Sequence, residues 1–447
     1  MHRHLGIFLK AKLVMLCVIL CILLTSSRTN TRLISNSPVI KEPNNFSIAE
    51  YVVHDPFTVS LDYLEANCSG DGSEESPYII ENLYIESRQW CIRVYDIDRS
   101  TDYDNGTIIV EYIHLTIRNC YFKGIPDVYD NYFQRNGMGV YMNRHTHNVT
   151  IQNNIFVDNY YGVYSLFNST HNKIVNNEFN CSIGVRLDDI ADHTVVSNNL
   201  FVGSPDDPNP GTYGNGQQGV QISFSVECMI ANNTCTGLDH GIQIYLTTNC
   251  TAYNNTVVNS FYSGITFLNS SNIMVINNTC QYNQHYGILL DDDSHNNTIA
   301  NNTLSYNGLG LNTTDYTSTF HEAYDDIGKG FWIASGSRGN SITWNILLFN
   351  KNNAIDEVIG NTYDYNIWSD YTGEDEDGDG IGDSPYYVDG GTDAFDPHPR
   401  VVSWLPLPTN TNQEINSDLV TTIIVIGGSF ATLMVTVIIF KLKKQHT

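Results

Sequence analysis

Residues 230–278 read IANNTCTGLDHGIQIYLTTNCTAYNNTVVNSFYSGITFLNSSNIMVINN. Two marks recur in this stretch. An Asn-Asn pair begins at Asn232, Asn254 and Asn277, and a Gly followed by Ile stands at Gly241 and Gly264. Two residues before each pair is an apolar side chain: Ile230, Ala252, Val275. Three residues after the first Asn is another, Cys235 then Val257. After each Gly, positions +1 and +3 are apolar (Ile242 and Ile244, Ile265 and Phe267), while +2 and +4 are mixed. Period-two alternation over so few residues is a strand signal, and no three-four spacing lasts long enough to fill the unit with helix.

Outward from this stretch the pair recurs at Asn153, Asn176, Asn198 and Asn301, and the Gly mark at Gly139, Gly162, Gly184, Gly219 and Gly287. The seven pairs are spaced by 23, 22, 34, 22, 23 and 24 residues. A period in this range denotes a solenoid. Each unit is then one coil of short strands with Asn and Gly at its corners. Stacking the coils pairs every strand with its copies above and below and buries the apolar columns. Asn side chains ~4.8 Å apart can hydrogen-bond as a ladder. Extra length falls in three insertions, Lys123–Asn136, Gly203–Gly216 and Leu309–Lys329, all between the Asn pair and the Gly strand.

The repeat resembles a right-handed parallel β-helix. It is similar to archaeal and bacterial surface proteins related to NosD and to carbohydrate-binding and sugar-hydrolase β-helices. The resemblance runs from about Gly70 to Pro399. GDGSEESPYIIENL (Gly70–Leu83) resembles that family's entry into its first coil, and NIWSDYTGEDEDGDGIGDSPYYVDGG (Asn366–Gly391) its close. The expected fold is all-β, a solenoid of roughly ten to eleven coils. The expected order is a cap region (28–69), the coils (70–368), an acidic cap (369–400) and a linker (401–418).

Both ends suggest a membrane route. Arg3, Lys10 and Lys12 precede or flank the apolar run Leu13–Leu24, which reads as a signal peptide over 1–27. Leu419–Phe440 is free of charge and long enough to cross a bilayer, and Lys441, Lys443 and Lys444 follow at once. The expectation is a transmembrane helix at 419–440, a short cytoplasmic tail at 441–447, and a body outside the cell. Ten Cys are present; eight lie beyond the signal, with no C-x-x-C pair. Cys228 and Cys250 share a column in adjacent coils, within disulfide reach at ~4.8 Å. Fourteen N-x-S/T sequons suggest a glycoprotein. Those at Asn232, Asn254, Asn277 and Asn301 are expected to be buried in the ladder.

Asp plus Glu is 48 against 22 Lys plus Arg, a net charge of −26, which excludes a nucleic-acid partner. Hydrophobic residues at 41% exclude a disordered chain. The Gly strands direct Tyr141, Tyr164, Arg186, Gln221 and Gln243 outward at +2, and Asn143, Asp188 and Tyr245 at +4. Aromatic rings among amide and charged groups suit sugars. The leading expectation is therefore a membrane-anchored surface protein binding extracellular glycans or envelope polymers on this face. One alternative is a polysaccharide lyase or hydrolase using the Asp188/Asp189 cluster. Another is a purely structural or adhesion protein. The resemblance to NosD adds copper handling, for which His145, His147, His171, His193 and His295 are the available ligands. Asp375, Asp377, Asp379 and Asp383, with the Ile381 carbonyl, form a D-x-D-x-D-G-x-x-D loop suited to structural calcium.

Overall fold

The computed structural model describes residues 51–104, 107–125, 137–203, 217–308, 328–334 and 336–402. Of 99–104, 107–111, 421–425 and 435–439 it describes the backbone alone. The expected signal peptide, most of the linker, the basic tail and the bulk of the three insertions lie outside the described residues.

The chain winds as a right-handed parallel β-helix. Three parallel sheets form its walls: sheet A of 12 strands, and sheets B and C of 11 each. One coil runs from sheet C (Lys173–Val175) through the Asn pair to sheet A (Glu178–Asn180), then through sheet B (Ile183–Leu187), and returns to sheet C at Val195–Ser197. Register follows the repeat: Ile151, Ile174, Val196, Ile230, Ala252, Val275 and Ile299 are successive partners in sheet C. All are fully buried.

The two members of each Asn pair divide the work. The first adopts a left-handed backbone, from Asn153 (φ 55°) to Asn301 (φ 56°), which turns the corner and which Asn tolerates better than most residues. The second points inward and builds the ladder. Asn255 Nδ2 donates to Asn278 Oδ1 (2.9 Å) and Asn278 Nδ2 to Asn302 Oδ1 (3.0 Å). The ladder runs in this way from Asn154 to Asn366. Asn232, Asn254, Asn277 and Asn301 are therefore exposed corner residues, and their buried neighbours are Asn233, Asn255, Asn278 and Asn302. The expectation that those sequon asparagines were buried was off by one residue. The corner needs a left-handed residue before the inward amide, and both positions favour Asn.

At the Gly mark the strand bends. A Cβ on Gly162 would overlap the Phe179 ring and lie 2.6 Å from the Gly184 carbonyl oxygen. Its absence lets Phe156, Phe179 and Phe201 stack in the core with centroids 4.7 and 4.8 Å apart. The helix Leu61–Asn67, capped by Ser60, precedes the coils, and Leu64 packs into the core. At the far end the buried Asp396 side chain receives the last ladder residue, Asn366, and the Trp368 indole N–H.

The expected transmembrane helix is not borne out. Thr421–Val425 and Val435–Ile439 are strands, paired antiparallel from Thr421↔Ile439 to Val425↔Val435. Both segments are almost wholly β-branched, which favours extended backbone, and the Gly427-Gly428 step falls between them. Hydropathy alone cannot separate such a hairpin from a span. Among the described residues no helix is long and apolar enough to cross a membrane. The membrane contact, the single-pass topology and the cytoplasmic tail that rested on that helix are withdrawn with it.

Candidate functional site

Sheet B brings the expected outward residues together. Arg93, Tyr141, Tyr164, Arg186, Gln221, Gln243 and Thr266 are consecutive partners down one column. Tyr95, Asn143 and Leu166 are partners in a second column, and Ser223, Tyr245 and Leu268 continue its pattern lower down. Tyr161, just before the Gly mark, is fully buried, yet its ring stacks on Tyr164 with centroids 4.7 Å apart. Strict alternation would have turned it into the core. Trp90, Arg93 and Tyr95 were missed because their coil has Cys91 in the Gly position and no Asn pair before it.

One cluster stands out for chemistry. Asp188 Oδ2 accepts from Arg186 Nε and from the Tyr164 hydroxyl (3.4 Å), while Arg186 Nη1 donates to the Tyr161 hydroxyl (3.3 Å). Asp188 is buried. Burial, and then the negative charge of Asp188, push the Tyr164 phenol well above its ordinary value, so it keeps its proton. Asp189, the next residue, lines a cleft of about 620 Å³ together with Arg144, His145, Phe167, Asn168, Ile190 and Phe224.

Every residue lining that cleft has a left-handed backbone, from His145 (φ 48°) to Ile190 (φ 68°). They occupy the turn from sheet B to sheet C. Lower in the stack the same turn uses Leu246 and then Asn269 and Asp292, the last two suited to that conformation. Here it uses Phe167, Ile190 and Phe224, each about half exposed. Left-handed Ile and Phe cost on the order of 1–2 kcal/mol each. Bulky left-handed residues also stand at other corners (Tyr282, Tyr306, Trp344, Phe349 and Tyr365), so this strain is a cost of the coil corners in general.

These findings revise the leading expectation. No anchoring helix is found among the described residues, and the face is no plain binding sheet: it holds a tied carboxylate, a protonated phenol and a second carboxylate in a cleft. That favours the catalytic alternative. Gln221, Gln243 and Tyr245 lie on the same sheet farther down the stack and do not line the cleft.

The metal expectations separate. Asp375, Asp377 and Asp379 each offer a ligand atom within 4.8 Å of the others. Asp383 instead accepts the Glu376 N–H (2.7 Å), and the Ile381 N–H donates to Asp379 (2.8 Å). The histidines do not converge. His171 and His193 stack at 4.7 Å, but His171 Nδ1 meets the Thr170 hydroxyl and His193 Nδ1 the Glu227 carboxylate. His147 lies one column away, between Thr170 and Asp98. No other trio of His, Cys, Asp or Glu ligand atoms comes together among the described residues. The histidine arrangement does not fit a copper centre, and an all-oxygen trio suits a hard cation instead. Cys228 and Cys250 are buried thiols in adjacent coils, with the Cys228 N–H donating to Cys250 Sγ (3.2 Å).

Among solved structures the chain is similar in fold to the Dettilon tailspike protein gp208. The two share 14% identity at a TM-score of 0.47, over 72% of this chain and 60% of the tailspike. It is also similar to the A-module of the Azotobacter vinelandii mannuronan C-5 epimerase AlgE6 (13%, TM-score 0.42, 70% and 89% covered). A third is the DFA-IIIase of Arthrobacter chlorophenolicus A6 (11%, TM-score 0.42, 73% and 85% covered). The chain thus spans 60% of the tailspike it matches. No curated protein matches it in sequence. The profile of one family, described as periplasmic copper-binding protein (NosD), matches residues 80–213 and 204–374. With the coils, their register and this match taken together, the chain belongs to the NosD family.

Proposed function

We propose that the protein is a polysaccharide-cleaving enzyme, a lyase or hydrolase, whose site is the Asp188/Asp189 corner of sheet B. The observation that carries this reading is the adjacency of two carboxylates in different settings. Asp188 is buried and tied to Arg186 and Tyr164, and Asp189 lies in the wall of a strained cleft. In this reading Asp189 is the base or nucleophile that meets the sugar. Tyr164, held protonated against Asp188, orients the sugar, Asp188 positions Arg186 and Tyr164, and water supplies the proton to the leaving oxygen. Phe167 and Phe224 offer apolar faces for sugar rings. Asp189→Asn is expected to lower turnover about 10²–10⁴-fold. The assay is release of reducing ends, or of unsaturated ends by ultraviolet absorbance, across a polysaccharide panel. Wild-type release that persists in both Asp188→Asn and Asp189→Asn would refute the assignment.

A second reading concerns the C-terminal cap. We propose that Asp375, Asp377 and Asp379 hold calcium as a structural ion, because their oxygens converge on a loop turned by Gly378 (φ 75°) and Gly380 (φ 88°). The expected result is a higher melting temperature with calcium than with chelator, and no such difference in Asp377→Asn.

A further inference from the structure

We infer that the polymer is acidic and that Arg93 and Arg144 are its carboxylate receptors; this deepens the reading of the Asp188/Asp189 site and rests on it. The protein carries 48 acidic residues against 22 Lys and Arg, so where its cations gather on one face matters. Arg118 pairs with Glu81, Lys123 with Glu86 and Arg186 with Asp188. Arg93 and Arg144 have no ion-pair partner among the described residues. Both lie where the cleft meets the upper part of the outward face.

Arg93 is held by rings. Its guanidinium carbon lies 4.8 Å from the Tyr95 centroid, 5.5 Å from Trp90 and 5.9 Å from Tyr141. Its Nε is buried without a hydrogen-bond partner. Such a donor has lost water and gained nothing equivalent, which an arriving oxygen anion would correct. Arg144 Nη1 donates to the Tyr95 hydroxyl (3.3 Å), so one tyrosine links both guanidinium groups. Arg144 also lines the cleft with Asp189. Arg93 shares its column with Tyr141, Tyr164 and Arg186, three coils and about 14 Å from the last at ~4.8 Å per coil. A chain of sugars laid along this column would pass from Arg93 over two tyrosines to the Asp188 cluster.

The chemistry selects carboxylate over hydroxyl. A guanidinium presents a planar fork that matches a carboxylate in two bonds, and low local polarity strengthens the pair. The net charge of −26 opposes any polyanion, so the carboxylate has to be gripped locally by these guanidinium groups, with screening beyond roughly 8 Å at physiological salt weakening the more distant acids. At the site itself Arg93, Arg144 and Arg186 set three cations against Asp188 and Asp189.

The experiment uses the whole chain carrying Asp189→Asn, to suppress turnover. Binding is measured by calorimetry to polygalacturonate and polymannuronate, and to the fully methyl-esterified form of each. The expected result is binding to at least one acid polymer, at least ten-fold tighter than to its neutral ester. Arg93→Gln and Arg144→Gln should each cut that affinity about ten-fold or more, leave ester binding unchanged, and leave the melting temperature in place. Arg93→Lys should recover part of the loss. Equal affinity for acid and ester, no binding to either acid polymer, or an unaltered affinity in Arg93→Gln would overturn the inference. The site reading fails separately. If an acid polymer binds through Arg93 but its conversion ignores Asp188→Asn and Asp189→Asn, the receptors stand and the enzyme does not. If a neutral polymer is cleaved in an Asp189-dependent way, the reverse holds.

Discussion

Asn254 and Asn255 are neighbours in sequence and identical in chemistry, yet the structure gives them different weights. The Asn255 side chain makes four buried hydrogen bonds. Its Oδ1 accepts from Asn233 N and Nδ2, both 3.0 Å, and its Nδ2 donates to Ile230 O (2.8 Å) and Asn278 Oδ1 (2.9 Å). At about 1 kcal/mol net per bond, Asn255→Ala should cost about 4 kcal/mol, because the groups left behind are in a dry interior. Asn254 makes one exposed bond, to Asn232 Oδ1 (2.7 Å), and sits at φ 53°. Asn254→Ala should therefore cost about 1–2 kcal/mol, mostly for a left-handed alanine, and Asn254→Gly less still. Solenoids need not unfold in one step. The appropriate assay is hydrogen exchange by mass spectrometry on peptides spanning 228–281. Asn255→Ala should speed local opening there about a thousand-fold, at tenfold per ~1.4 kcal/mol. Opening no faster in Asn255→Ala than in Asn254→Ala would refute the claim that the inward ladder holds the coils.

Three shorter predictions follow from the same packing. Gly162→Ala should destabilise its coil by about 1–3 kcal/mol through overpacking against Phe179, read as a lowered denaturation midpoint; an unchanged midpoint would mean the bend is not required. Burial holds His240 at about 4, helped by the charge of His285, and burial alone holds His285 at about 4. Both are neutral in the fold, so the unfolded chain binds more protons between pH ~6.5 and ~4. Stability should fall as pH drops through that window, by up to about 3 kcal/mol per histidine; melting curves of a His240→Gln/His285→Gln variant should be flatter there, and an identical slope would count against the assignment. Finally, Cys228 and Cys250 are buried thiols, so both should resist alkylation in the folded protein and react once it is unfolded; labelling of either in the fold, or their recovery as one crosslinked peptide, would count against this placement.

The solenoid was legible because its rule is local: an apolar column, an Asn pair and a Gly mark, each repeated in step. Tyr141, Tyr164, Arg186 and Asp188 followed from that rule and share one face of sheet B. What escaped it were departures from period two. Tyr161 packs against Tyr164 and Arg186, where alternation would have turned it into the core, and the coil of Trp90, Arg93 and Tyr95 has neither mark. The cleft was illegible for a stronger reason. Propensity would never place Phe167, Ile190 or Phe224 in a left-handed turn, so only coordinates reveal that these residues border Asp189. At Leu419–Phe440 hydropathy pointed one way and the β-branched side chains the other, and the backbone followed the side chains.

Asp396 closes the inward ladder, and its chemistry has a consequence for the last coil. Its carboxylate gathers donors from Tyr365, Asn366, Trp368 and His398. An asparagine there could have accepted from the coil below and donated onward, inviting the next rung. An ionised carboxylate only accepts. The relay of amides thus has a terminus, and it lies wholly buried, so the inward amides of the last coil are satisfied by the chain's own fold before any surface is reached.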